Sequence, residues 1–324
     1  MTSAEWDIPL KLQPDPDDYP FDLERMLQAV VGLKTAVPSD AFTANSLGTE
    51  RAGSGVVIRA DGLVLTIGYL IMEAETVWLI SADGRATPGH ALAYDQETGF
   101  GLVQPLGRLA LPALELGKSG RLRVGDAAIM ASHGGRRHAV ETKVIGRQQF
   151  AGHWEYLLEE AIFTAPAHPF WGGAGLISPE GKLLGIGSLI LQQGDRSGRR
   201  LDRNMVVPID LLPPILDDLL SYGRVDRPPR PWLGMYAMES EDAIVVGGLA
   251  EGGPADRAGV QTGDRILAVG NSEVTDLGGL WRMVWATGTA GAEVTLRLVR
   301  DEEMVTITAR SADRASLLRS PRMH

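Results

Sequence analysis

The chain places a tight glycine-rich turn, His168-Pro169-Phe170-Trp171-Gly172-Gly173-Ala174-Gly175, between apolar runs of strand character. In many hydrolases such a turn presents a nucleophile, which an imidazole activates and a carboxylate orients through that imidazole. Here the turn supplies backbone but no hydroxyl, thiol or carboxylate. The side chains that could stand in as displaced nucleophile, base or metal ligand are Ser132 with His133, His138, His153 and His168. His133 and His138, in SHGGRRH, have no regular ligand spacing and read as a solvated loop, and His168 reads as a hydrogen-bonded structural histidine. No metal site and no cofactor are expected.

The elements around this turn are β-rich. Between about residues 53 and 210 short runs follow one another, among them GVVIR, LVLTI, TVWLIS, ALAYD, GLVQPL, AAIMAS, TKVIGRQQF, EYLLEEAIFT, GLISP, KLLGIGSLIL and NMVVPI. Gly, Asp and Pro separate them, and no amphipathic helices of parallel-sheet length intervene, which predicts all-β barrels. SADGRA and SPEGKL are hairpin signals with Gly where a positive φ is needed. Before the strands, a Pro- and Asp-dense arm over residues 1–24 leads into a helix capped by Asp22 and then a strand. After them, PIDLLPPILDDLLSY (Pro208 to Tyr222) predicts a helix that closes the domain. GRVDRPPRP, residues 223–231, reads as a semi-rigid linker. A unit of about 80 residues follows, 232–312, with a tail at 313–324.

A length of 324 residues accommodates two domains. A net charge of −10, from 31 basic and 41 acidic residues, argues against nonspecific binding to nucleic acid or anionic membrane. Local basic patches remain possible; one, RSGRRLDR (Arg196 to Arg203), reads as a solvated hairpin loop or an anionic contact. With no cysteine, a thiolate nucleophile, a disulfide framework and Cys-ligated zinc are excluded. The first residues lack an apolar signal region, and no run reaches the length of a membrane helix. The expected location is cytoplasmic, or periplasmic if a leader has been removed.

In the second unit, GGPADRAGVQTGDRILAVGNSEV resembles the PDZ signature of bacterial proteases. That resemblance implies capture of peptide or protein C-termini by strand addition, with the terminal carboxylate held in a nest of backbone N–H groups. By position the binding loop is Trp232-Leu233-Gly234-Met235, and Leu280 with Val284 face its apolar pocket from a helix. Trp281 and Trp285 read as core residues or as packing against the first domain.

With the PDZ unit placed, the preceding region, residues 25–222, resembles the trypsin-like domain of the HtrA (Deg) serine proteases. The resemblance rests on GSGVVIRADGLVLT, LPALELGKSGRLRVGDAAIMAS, ISPEGKLLGIGSLI and NMVVPIDLL. It implies a mainly β fold: a trypsin-like double β-barrel with a cleft between six-stranded halves, followed by a small α+β PDZ domain. It also allows each catalytic position to be read. The family's general-base histidine corresponds to Tyr69, its orienting aspartate to Gly99, and its nucleophilic serine to Gly172. Phe170 replaces the glycine that helps form the oxyanion hole, and Trp171 adds a second ring. Asp95 and Glu97 read as turn and surface acids. The expectation is a noncatalytic, HtrA-like scaffold or regulator; the alternative is an active serine endopeptidase with displaced catalytic residues. Family members commonly trimerise through an N-terminal segment, so a homotrimer or assembly with an active homologue is the expected partnership, through the aromatics between Trp6 and Phe21.

Overall fold

The computed structural model describes residues 7–194, 200–240 and 243–319. Its contacts divide the chain into two compact units. One comprises residues 1–148, 160–225 and 319–324, the other residues 149–159 and 226–318.

The first unit begins with an arm that lies on its own chain. Ile8 is buried and donates its N–H to Arg137 O at 2.8 Å, and Tyr19 Oη donates to Glu141 at 2.9 Å. Helix α1 (Leu23–Leu27) starts where the Asp22 carboxylate accepts the Arg25 N–H at 3.0 Å, as the cap signal predicts. Six strands then close a barrel: β1 (Val30–Ala36), β2 (Glu50–Val57), β3 (Val64–Ile67), β4 (Thr76–Ile80), β5 (Ala86–Tyr94) and β6 (Phe100–Pro105). They run around it in the order β1-β2-β3-β6-β5-β4. A short helix α2 (Ala44–Leu47) lies between β1 and β2.

The second barrel is built from β7 (Ala127–Ala131), β8 (Ala139–Gly152), β9 (Tyr156–Ala165), β10 (Gly175–Ile177), β11 (Leu183–Gly194) and β12 (Arg200–Pro208). They close in the order β10-β11-β12-β9-β8-β7. The runs between the barrels' glycine turns are apolar because the residues facing inward must be: Val30, Val64, Leu102, Ile129, Ile162 and Val206 are all fully buried. Helix α3 (Pro213–Tyr222) has proline in its first turn and stops at Gly223, whose φ of 70° forms a left-handed C-cap. Of the basic run, Arg196–Arg199 lie outside the described residues.

The second unit carries β13 (Met235–Ser240), β14 (Ala243–Leu249), helix α4 (Pro254–Arg257), β15 (Arg265–Val269), β16 (Ser272–Glu273), helix α5 (Leu277–Trp285), β17 (Glu293–Arg300) and β18 (Glu303–Arg310). The sheet runs β13-β14-β15-β17-β18, with β16 paired to β15. Helix α5 is capped by Asp276, which accepts the Gly279 N–H at 2.7 Å. Its Leu280, Trp281 and Val284 pack with Leu233, Met235, Leu296 and Leu298 into one core. Residues 149–159, the outer ends of β8 and β9 with the turn between them, belong to this unit.

Candidate functional site

In the first unit, Tyr69 sits in a single 3-10 turn, Gly68–Leu70, directly after β3. The turn is pinned at both ends: Gly68 N–H donates to Gly99 O at 2.7 Å, and the Arg51 guanidinium donates to Tyr69 O at 2.8 Å. Tyr69 Oη donates to Ser188 O at 2.9 Å. Burial pushes this phenol well above its ordinary range, against the opposing pull of a hydrogen bond with Trp171. A Cβ built on Gly172 would lie 2.8 Å from Tyr69 Oη, so the phenol fills the space next to that glycine. Positions 69, 99 and 172 are therefore gathered in one place. A neutral phenol is far too weak a base to take a proton from a hydroxyl at neutral pH.

Gly99 adopts a φ of 84°, a conformation that a residue with a Cβ enters at a cost. The neighbouring acid, Asp95, folds back on its own turn and accepts from the Thr98 N–H and Oγ1, both at 2.8 Å.

The turn at Gly172 is held by backbone bonds. Ser54 N–H donates to Gly172 O at 2.8 Å, Gly173 N–H to Gly187 O at 2.9 Å and Ala174 N–H to Trp171 O at 3.0 Å. Phe170 N–H donates to His168 Nδ1 at 3.0 Å. The same imidazole donates from Nε2 to His138 O at 3.0 Å, while the His168 backbone exchanges two bonds with the Asn204 side chain at 2.7 and 3.0 Å. Burial pulls the His168 pKa down to about 4, so the ring is neutral, with Nδ1 as acceptor. The Phe170 ring points outward and is 49% exposed.

The other sequence candidates make backbone contacts. Ser132 Oγ lies 3.4 Å from His138 O, His133 Nε2 lies 3.3 Å from Ser81 O, and His138 Nδ1 donates to His133 O at 2.6 Å. Among the described residues no three His, Asp or Glu side chains converge as a metal site would require.

In the second unit, Leu233, Gly234 and Met235 turn three successive N–H groups toward one point, and Leu233, Leu280 and Val284 are fully buried beside it. Trp232 exchanges backbone bonds with Ala312, both at 3.0 Å, and so anchors the loop. The point is not vacant. The Glu155 carboxylate accepts from Leu233 N–H at 3.1 Å, Gly234 N–H at 2.7 Å and Met235 N–H at 3.1 Å. Burial raises the pKa of this carboxyl to about 7, and the three N–H donors and Arg314 pull against that rise. Sequence reasoning missed Glu155. It also missed that Trp281, fully buried, donates from Nε1 to Gly152 O at 2.9 Å. The residues around Glu155, FAGHWEYLL, carry no local signature of a ligand.

Two known domains match the chain, the first of them running through residues 149–159 of the second unit. A trypsin-like peptidase domain is matched over residues 53–186 and a PDZ domain over residues 231–310. The chain is 29% identical over 296 residues to a putative serine protease HhoA of Synechocystis, covering 83% of this chain and 71% of that one. This is a protein of the HtrA family. A probable periplasmic serine endoprotease DegP-like of Pseudomonas fluorescens is 28% identical over 268 residues, covering 78% of this chain. The HtrA-family chain described here spans little more than half, 54%, of that relative's length. Among solved structures, the HtrA-type protease AlgW with tripeptide superimposes with a TM-score of 0.53 at 24% identity, covering 95% of this chain and 99% of that one. The serine endoprotease from Yersinia pestis gives 0.53 at 20% identity, covering 95% and 99%. These two likenesses show the fold. No described helix of this HtrA-family chain is long and apolar enough to cross a membrane.

Proposed function

We propose that this HtrA-family protein is a noncatalytic scaffold that binds peptide or protein C-termini through its PDZ domain. The observation that carries the reading is the Tyr69 phenol, hydrogen-bonded to Ser188 O and set against Gly172 where a nucleophile and its base would face each other. Loss of the attacking atom and the proton acceptor together removes acyl transfer, since neither alone sustains it. The bond from Phe170 N–H to His168 supports the reading further, because that donor is no longer free to stabilise an oxyanion.

The test is turnover of fluorescent casein by the purified full chain. No hydrolysis above buffer is expected for wild type or for Gly172→Ser, because the phenol cannot activate the new hydroxyl. The names of the relatives, a probable serine endoprotease and a putative serine protease, favour a second reading in which the chain hydrolyses peptides with displaced residues. Casein turnover that a covalent serine-directed inhibitor abolishes would establish that reading and end the first.

A further inference from the structure

The PDZ groove is occupied from within its own unit. Glu155 gives its carboxylate to the N–H groups of Leu233, Gly234 and Met235. Two residues earlier, His153 O accepts the Ala237 N–H at 3.0 Å, and Ala237 lies two residues beyond Met235 on β13. An extended strand offers an outward N–H every second residue. The carboxylate and the carbonyl thus keep the register in which a peptide adds to β13, its terminus in the nest and its third-last residue paired to the strand. The opposite wall closes on the same segment. Trp281 Nε1 of α5 donates to Gly152 O at 2.9 Å, and Arg282 grips Glu159 at 3.0 and 2.5 Å and also Gln149.

The turn is built to deliver that carboxylate. Glu155 holds a φ of 59°, the left-handed conformation at the end of a three-residue hairpin loop, where glycine is the expected residue. A glutamate keeps such a conformation only when its surroundings fix it. The fixing contacts here are the three N–H donors, with the residue only 4% exposed.

We propose that the hairpin tip Gln149–Glu159 is a tethered ligand of the PDZ groove, in which the Glu155 carboxylate takes the place of a peptide's C-terminal carboxylate. A free chain terminus enters only by displacing it. This rests on the reading of the PDZ domain as a binder of termini and adds that the site is regulated by an internal competitor. Because the tip is covalently held beside the groove, it competes at a high effective concentration, and the apparent affinity for a peptide falls with the fraction of molecules whose groove is open.

The experiment uses the full chain and fluorescein-labelled decapeptides that carry each standard residue at a free C-terminus, with the matching C-terminal amides as controls. Fluorescence polarisation is read for wild type, Glu155→Ala, Glu155→Gln and Arg282→Ala. Hydrogen exchange at the amides of Leu233, Gly234, Met235 and Ala237 is followed in parallel. In both Glu155 variants those amides are expected to lose protection, and the best free-carboxyl peptide is expected to bind about tenfold more tightly than to wild type. Arg282→Ala loosens the tip without touching the nest and is expected to gain about threefold, and the amides are expected to bind none of the four proteins. Equal peptide affinity in wild type and the Glu155 variants overturns the tethered ligand and leaves terminus capture standing. Unchanged protection in those variants overturns it as well. Deprotected amides with no peptide bound overturn both readings.

Discussion

His168 stands beside the Gly172 turn, yet its ring is held entirely by backbone groups. Its two ring nitrogens are committed, one to His138 O and one to the Phe170 N–H, and both bonds require the neutral ring. Burial holds its pKa at about 4, below the ordinary 6.5. A histidine with a depressed folded pKa contributes stability that is fully present above the unfolded value and is lost as pH falls toward the folded one. The expected loss between pH 6.5 and pH 4 is about 3 kcal/mol, since a gap of one pH unit between the folded and unfolded pKa corresponds to about 1.4 kcal/mol. Urea unfolding of the full chain at a series of pH values checks this. His168→Gln should show a visibly shallower acid slope than wild type, and parallel slopes would rule His168 out as the source.

Two neighbouring glycines in one turn, Gly172 and Gly173, differ sharply in what they tolerate. Gly173 has a φ of 76°, and a Cβ built there would lie 1.8 Å from Ser54 O, a backbone atom that cannot move aside. Gly172 meets only the far end of the Tyr69 side chain, at 2.8 Å. Gly173→Ala is therefore expected to destabilise by about 3 kcal/mol or more, combining steric overlap with a disfavoured φ. Gly172→Ser should fold with a melting temperature within a few degrees of wild type. Differential scanning calorimetry of the two variants separates them; equal losses would contradict the geometry of the turn. At this scale the sequence was informative wherever the local chain dictates the outcome. The Gly84 and Gly181 turns, with φ of 82° and 79°, fall in the SADGRA and SPEGKL signals, and the Asp22 cap and the strand runs also lie where the residues indicate. Glu155 was not legible for the opposite reason. Its left-handed φ and its burial are imposed by N–H groups some 80 residues further along the chain, and FAGHWEYLL alone suggests only the end of one strand and the start of another.

Over the whole molecule, sequence reasoning divides the chain into contiguous stretches, whereas its contacts assign residues 149–159 to the same unit as residues 226–318. A segment inserted from far upstream should then share the stability of the unit it packs with, because regions open in cooperative groups set by contacts, not by order along the chain. Asp264 and Arg300 provide a lever remote from that segment. Burial would raise the Asp264 carboxyl, but the two-pronged Arg300 guanidinium, at 2.7 Å to each oxygen, and the Gln261 N–H hold it below its usual range. Asp264 is 1% exposed, so Arg300→Ala leaves a buried carboxylate without its cation and weakens the second unit selectively. Native-state hydrogen exchange on the full-length variant should show the amides of Ala151 to Tyr156 losing protection in step with those of β13 to β18. The strands β1 to β6 should keep theirs. If the hairpin tip instead retained the protection of the barrels while β13 to β18 lost theirs, the tip would have to be counted with the barrels, and the grouping drawn from the contacts would be wrong.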